Sequence, residues 1–599
     1  MNIVPRPKDI KVGDAFIDYL ESSQMAYTNC RQSLLGYYEG KLGKEIKHIN
    51  NGAYKYFYIG SNQIDPGAIR LDPLLEEKRE GYELTVNATG LLITSSSDEG
   101  IFYGFQTYRQ LIEQECSKEV RIIDWPDNAI RGFHLELRYA MPKFERVLEI
   151  IDEVAQFKFN TLLMEYENRF PYNQYPDIRS SHAFSEEELK AMLAYAKERF
   201  IEIIPLQQTL GHLEYILKMD TYNHLKEVKE DGIITELPFS FNGVGFKHFN
   251  DIDEICATNE EAYTLIEALC REVVSAHPQS KYIHIGCDEA WNLLTCSSCR
   301  GKYGKDGAKK LYIDHINRMA GLVKEAGKTP IIWDDMLRPF EKEDFELLDK
   351  NIVLMCWLYF RSDYEKGLEL IRKYKDAGFE VIGASAAKCS EGVNPLYLDM
   401  PYMEERLGNI EIWGKLSKEY QLPGVITTLW SNYTGTIAPP HPFFDTAWYP
   451  VVFSAEVYWN SGTAKEEFYH RFMSNYFGVE AEKGALDNNN ACSFRVFSSV
   501  AEKGKRHQYL AEVYKVMALV SAYRLKSSAI HREIYKLFMP TTGPEKMLVR
   551  KRLQEVVSLR NYVKPMIKEI LCRNYREEDI EEFINSRFML DEMINERVL

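Results

Sequence analysis

The sequence predicts an α/β fold, a (β/α)8 TIM barrel with an N-terminal α+β accessory domain before it and a helical region after it. Three observations lead there. Eight short apolar runs lie between residues 132 and 429, amphipathic stretches separate them, and polar and aromatic residues gather just past the ends of the runs. Nearly continuous apolar runs are how parallel strands read when both their faces are buried.

The runs are Gly132–Leu137, Thr161–Met164, Glu202–Leu206, Tyr282–Gly286, Pro330–Trp333, Ile352–Trp357, Glu380–Ala384 and Gly424–Leu429. Helical spacing is plain after the first, where Phe144, Val147, Leu148, Ile151 and Val154 recur near one face. Active sites of this fold form where the strands end. Those ends supply Glu165 and Glu167, Gly211-His212, Asp288-Glu289, Trp333-Asp334, Trp357 with Tyr359, and Trp430-Ser431-Asn432-Tyr433.

The barrel is expected over residues 128–460. Before it, residues 1–127 alternate short strand-like runs with turns, including a hairpin turn at Asn87–Gly90. A helix from Asp98 to Glu113 brings Ile101, Phe102, Phe105, Tyr108 and Leu111 near one face. After the barrel, residues 461–599 read as helices, with periodic stretches at Ala501–Tyr523 and Met547–Leu571.

Composition removes several classes of function. The chain has 73 Lys+Arg against 89 Asp+Glu, a net charge of -16 that repels polyanions and argues against nucleic acid as a partner. The basic run Arg550-Lys551-Arg552 reads as a solvated helix face. No stretch approaches the roughly 18 consecutive apolar residues of a membrane span, so a water-soluble protein without a membrane partner is expected. The first residues lack the apolar core of about 7 to 15 residues that a signal peptide needs. Eleven cysteines, an odd number over 599 residues, suit reduced thiols in a cytoplasm better than a disulfide framework. Cys296-Ser297-Ser298-Cys299 has the spacing of half a zinc site, and Cys256 or Cys270 could approach it in space. Free thiols or a local disulfide are the alternative reading of that pair.

Chemistry concentrates in His284-Ile285-Gly286-Cys287-Asp288-Glu289. Glycoside hydrolysis needs an acid for the departing oxygen and a second group that stabilises positive charge at the sugar carbon. Two carboxylates usually face each other across the substrate, about 5 Å apart for retention. Sequence neighbours cannot easily straddle a sugar in that way. An adjacent Asp-Glu pair suits a scheme in which Glu is the acid and the nucleophile belongs to the substrate.

Residues 284–289 match in full the His-x-Gly-x-Asp-Glu signature of glycoside hydrolase family 20, the β-N-acetylhexosaminidases, which this chain resembles. Gly81–Val86, Gly100–Thr107, Ile123–Asp127 and Arg131-Gly132 are similar to that family's accessory domain and its entry into the barrel. The resemblance implies a retaining, exo-acting enzyme that releases terminal GlcNAc or GalNAc from oligosaccharides or glycoconjugates, without a cofactor and with no metal at the catalytic site. It implies that Glu289 is general acid and base and that Asp288 orients the 2-acetamido nucleophile. Arg131 would grip sugar hydroxyls, the second-strand acid would be Glu165 or, preferably, Glu167, and His212 would touch the site. Trp333, Trp357 and Trp430 would cage the acetamido group, and Tyr359 or Tyr397 would complete the hold on its carbonyl. His284 is either a structural partner or directly involved.

Where many members carry Trp-x-Glu after the eighth strand, this chain has Trp430-Ser431-Asn432 and resembles a divergent branch with Trp-Ser-x-Tyr. Asp445 is the candidate for the hydroxyl contact left vacant. Two rival functions remain open to the sequence, a barrel glycosidase acting on N-deacetylated or unsubstituted hexosides and a carbohydrate-binding protein without catalysis.

Overall fold

The computed structural model describes residues 1–17, 24–138, 141–228, 240–241, 244–245, 254–389, 400–430, 444–480, 482–486 and 490–598. Tyr397 and the segment Ser431-Asn432-Tyr433 lie outside the described residues.

The N-terminal part is a seven-stranded sheet with one long helix on it. In spatial order its strands are Asp9–Phe16, Lys118–Asp124, Tyr82–Asn87, Gly90–Ser95, Lys55–Gly60, Met25–Thr28 and Ile46–His48. The hairpin forms where the sequence places it, with Asn87 opposite Gly90. Gly90 is needed there, because its φ is +128° and a Cβ would lie 2.0 Å from the Ile59 carbonyl oxygen. The helix Asp98–Glu113 is capped by Ser97, whose Oγ accepts the Gly100 N–H, and carries two acids in its first turn. Its apolar face, Ile101, Phe102, Phe105, Tyr108 and Leu111, is fully buried.

Eight parallel strands then close into a barrel. They are Ile130–Glu136, Thr161–Glu165, Glu202–Leu206, Tyr282–His284, Thr329–Trp333, Val353–Trp357, Glu380–Lys388 and Gly424–Leu429. The last pairs with the first, Val425 opposite Arg131, so the sheet has no free edge. Leu163, Ile204, Ile331, Val353, Met355, Ile382 and Ile426 fill the interior as one packed cluster. The helix Trp448–Trp459 is buried along its whole length. A helix that is apolar all round belongs between packed layers, and this one meets Tyr103 of the N-terminal part through Trp459, Ser385 of the barrel through Tyr458, and Phe468 beyond the barrel through Tyr449.

The chain ends in the helices Lys465–Phe472, Asn490–Lys503, Gln508–His531, Gly543–Leu571 and Glu577–Val598. The periodic stretch expected from Ala501 to Tyr523 is interrupted at residues 504–507. Tertiary bonding explains the break. The Arg506 guanidinium donates to the carbonyls of Ser474, Asn475 and Glu113, and His507, with φ +48°, stacks 3.9 Å from Tyr476. Among the described residues no helix is long and apolar enough to cross a membrane.

Two expectations fail at this level. Arg131 stands at the start of the first strand, five residues before the rim where that strand ends, which is about 16 Å at 3.3 Å per residue. There it is 1% exposed, holds Glu80 of the N-terminal part through both terminal nitrogens (2.7 and 3.0 Å), and donates to the Lys158 and Asn128 carbonyls. It fastens two parts of the chain together instead of meeting sugar. Asp445 is fully buried, accepts from Tyr575 Oη at 2.7 Å, and pairs with Arg146 Nη2 at 3.2 Å. One oxygen is taken up by Arg146 within the barrel and the other by Tyr575 beside the C-terminal helices, so this buried carboxylate holds the fold together and does not face the rim.

Candidate active site

The fourth barrel strand ends at His284, and the next five residues turn its direction sharply. Gly286 has φ +68°, and a Cβ on it would lie 1.8 Å from Gln208 Oε1. Cys287 (φ +72°) and Glu289 (φ +49°) also adopt the left-handed conformation, which costs a residue with a Cβ on the order of 1–3 kcal/mol. Glu167 (+46°) and His212 (+52°), past the second and third strands, share it. Four strained residues at one rim of the barrel are held by their surroundings. The Cys287 carbonyl accepts from Tyr312 Oη at 2.7 Å, the Ile285 carbonyl accepts from Thr209 Oγ1 at 2.8 Å, and the Glu289 N–H donates to Asp335 Oδ2 at 3.0 Å.

That turn sends the adjacent carboxylates in different directions. Asp288 is 7% exposed; its Oδ1 accepts from Gln208 Nε2 at 3.2 Å and its Oδ2 lies 3.3 Å from His212 Nε2. Glu289 keeps 30% of its side chain exposed and lies 3.5 Å from the same His212 nitrogen. One carboxylate is therefore oriented from two sides, while its neighbour faces the opening. His212 bridges them.

On the side of the first two strands, Arg138 is surrounded by acids. Its Nε is 2.7 Å from Glu167 and 3.0 Å from Glu136, and its Nη2 donates to Glu165 at 3.1 Å. Burial disfavours charge on Glu165, but Arg138 and His134 outweigh it and hold this carboxyl at about 2. Glu167 goes the other way. Burial, together with Glu214, Glu165 and Glu136 nearby, raises its carboxyl well above the usual range despite Arg138.

The aromatic side is built by the fifth, sixth and eighth strands. Trp333 is fully buried, Trp430 lies 5.7 Å from it, and Trp357 stacks on Tyr359 at 4.9 Å. Trp430 Nε1 donates to Tyr359 Oη at 2.9 Å, and Trp357 Nε1 donates to Asp335 Oδ1 at 3.2 Å. Asp335 thus joins the aromatic wall to the backbone of Glu289. Burial and the nearby Asp288 push its carboxyl up to about 7, although Arg338 pulls it down. His284 is a structural partner here. Burial depresses it to about 3, its Nδ1 accepts the Gly286 N–H, and its ring packs 4.5 Å from Trp333.

The rim therefore brings together Asp288, Glu289, Glu167, His212, Trp333, Trp357, Tyr359 and Trp430, and leaves out Arg131 and Asp445. Arg138, Gln208 and Asp335 are additional members that sequence reasoning did not single out. A signal existed for each, since each lies within two residues of the end of an apolar run, where this fold collects its functional groups.

Aromatic side chains beside clustered carboxylates, at the C-terminal end of a closed barrel, define the class as a barrel glycoside hydrolase. The model of the glycosyl hydrolase family 20 catalytic domain matches residues 129–460, and that of family 20 domain 2 matches residues 1–125. The chain belongs to glycosyl hydrolase family 20. It is 29% identical to hexosaminidase D of Bos taurus over 314 residues, 51% of this chain and 85% of the bovine protein. To hexosaminidase D of Homo sapiens it is 30% identical over 316 residues, 51% of this chain but only 60% of the human protein. Among solved structures, the chitobiase of Flavobacterium johnsoniae superimposes with a TM-score of 0.59 at 17% identity, covering 99% of this chain and 92% of that one. The β-N-acetylhexosaminidase of Bacteroides fragilis gives 0.58 at 20% identity, covering 79% and 94%.

Proposed function

We propose that this family 20 exo-β-N-acetylhexosaminidase releases terminal β-linked GlcNAc or GalNAc with retention, using the substrate's own acetamido group as nucleophile. The observation that carries the reading is the unequal treatment of two adjacent carboxylates. Asp288 is buried and held by Gln208 and His212, as a group must be that orients a partner; Glu289 is partly exposed, as a group must be that trades protons with a leaving alcohol and then with water.

In the first step the acetamido carbonyl oxygen attacks the anomeric carbon, the glycosidic C–O bond breaks, and Glu289 gives its proton to the departing oxygen. Asp288 accepts the acetamido N–H and stabilises the positive charge that develops there. In the second step water attacks the same carbon, its proton returns to Glu289, and the acetamide is restored. Trp333, Trp357 and Trp430 pack the sugar and the acetamido methyl and exclude water from the cyclic intermediate, with Tyr359 beside the carbonyl. Arg138 and Glu167 grip the sugar hydroxyls from the opposite side. The scheme uses no cofactor. A cytoplasmic setting belongs to the same reading, supported by eleven cysteines, none of which forms a disulfide among the described residues.

A panel of nitrophenyl glycosides (GlcNAc, GalNAc, glucosamine, galactosamine, galactose) with and without an oxazoline-mimicking thiazoline tests it. The reading expects turnover of the N-acetylated sugars only, abolished by the thiazoline. Turnover of unacetylated hexosides that ignores the thiazoline would favour the rival glycosidase, and no turnover at all would favour a binding protein.

A further inference from the structure

Seven residues beyond Glu289, Cys296 and Cys299 meet two groups brought from elsewhere in the chain. Cys256 Sγ lies 3.7 Å from Cys296 Sγ and 3.7 Å from Cys299 Sγ, and Cys299 Sγ lies 3.2 Å from Glu227 Oε2. All four ligand atoms fall within 4.8 Å of one another. Sulfurs bonded to one tetrahedral zinc at about 2.3 Å stand about 3.8 Å apart, the spacing found here. A disulfide requires about 2.05 Å, and Cys256 is equally near both partners, so no single pairing accounts for the cluster.

The surroundings are those of metal-bound thiolates. The Cys299 N–H points at Cys296 Sγ (3.2 Å), Thr258 Oγ1 contacts both Cys256 Sγ (3.2 Å) and Cys299 Sγ (3.4 Å), and the Cys296 N–H donates to Glu227 Oε1 at 2.8 Å. Such contacts orient ligands and stabilise their charge. Cys256, Cys299 and Glu227 are buried, and no Lys or Arg side chain pairs with the Glu227 carboxylate among the described residues. A buried carboxylate among three thiols calls for a cation, and soft thiolates in a tetrahedral array select zinc.

We propose that Glu227, Cys256, Cys296 and Cys299 form a structural zinc site that clamps the loops bearing the catalytic groups. The backbone shows what it would hold. Glu227 N–H donates to the Glu254 carbonyl, Cys256 N–H donates to the Leu225 carbonyl, and Ile255 N–H donates to the Leu210 carbonyl two residues before His212. Asn292 N–H, three residues after Glu289, donates to Glu254 Oε1 at 2.7 Å. One ion would therefore tie the strand-three excursion to the turn that carries Asp288 and Glu289. Cys270, the other candidate partner, sits in the helix Glu260–Ala276 and is outside the cluster.

The full chain, purified without a histidine tag, should carry about one zinc by elemental analysis, and Cys256→Ser or Cys299→Ser should lower this below about a tenth. Cobalt exchanged into the wild type should show thiolate charge-transfer and tetrahedral d–d bands. Cys299→His, which keeps a zinc ligand, should retain the metal, and Cys270→Ser should not change it. If the serine variants do not fold, the wild-type metal content and cobalt spectrum still decide. A reduced wild-type enzyme that holds less than about a tenth of a zinc and gives no thiolate band on adding cobalt overturns the site, as does a Cys270→Ser variant that loses its metal.

Discussion

The two ends of the barrel treat buried charge in opposite ways. At the lower end Lys158 and Arg131 each meet one anion. Lys158 Nζ is 3.0 Å from Asp124 and lies over the Trp459 ring at 4.3 Å, while Tyr82 and Trp459 donate to the same Asp124 oxygen; Arg131 holds Glu80 in the same closed manner. At the upper rim Arg138 faces Glu136, Glu165 and Glu167 together, with His134 beside Glu165, and burial with the nearby Asp288 pushes the Asp335 carboxyl up to about 7. Backbone in the left-handed region occurs at both ends, at Lys158, Phe200 and Gln421 below and at Glu167, His212, Cys287 and Glu289 above. A balanced pair is useful for fastening domains. A surplus of acids is useful for moving protons, because only unbalanced groups change state near neutral pH.

Four measurements bear on that contrast, taken from the largest effect down. Glu289→Gln should lower turnover about 10³-fold on an N-acetylglucosaminide with a poor leaving group and leave the melting temperature alone; wild-type rates would remove the acid from this position. Asp288→Asn should slow turnover about 10²-fold or more, since it weakens the hold on a charge present only after attack begins. Unchanged turnover would count against that role.

Arg131→Met belongs to the other end, and its effect should appear in denaturant unfolding as a loss of about 3 kcal/mol, because Glu80 and buried carbonyls lose their partner. The kcat/KM of the folded fraction should stay within about twofold. A variant of full stability with a raised KM would return Arg131 to the sugar site.

The effect that is smallest over any single pH unit concerns Asp335. A carboxyl raised from 3.8 to about 7 binds its proton more tightly in the folded state, so Asp335 should make the wild type lose stability as pH climbs between those values. Asp335→Asn removes this term. The two proteins should diverge by on the order of 1 kcal/mol per pH step across that window, with the wild type weaker at the high end. Parallel stability curves would mean that Asp335 is ionised throughout.

Much of this was legible in the chain itself, for a definite reason. Buried parallel strands and amphipathic helices are local patterns, readable over ten or so residues, so all eight strands and the helix Asp98–Glu113 appear near where periodicity puts them. The Asp288-Glu289 pair was equally legible, because the end of a barrel strand is a functional address. Arg131 and Asp445 were misplaced because a residue type and a motif offset do not say which end of a strand, or which neighbouring helix, a side chain will meet. Arg138 and Asp335 were passed over although each follows a strand end, since their value comes from acids on other strands.

By itself the sequence determined a barrel, its flanking parts and a candidate catalytic pair, which we propose works with a nucleophile outside the protein. Only the tertiary structure decided which arginine faces the acids, that Asp335 links Trp357 to Glu289, and that Glu227 and Cys256 arrive beside Cys296 and Cys299. The reason is distance along the chain. Strand and helix follow from neighbours in sequence, whereas Glu227 and Cys299 stand 72 residues apart and meet only after the barrel has closed around them.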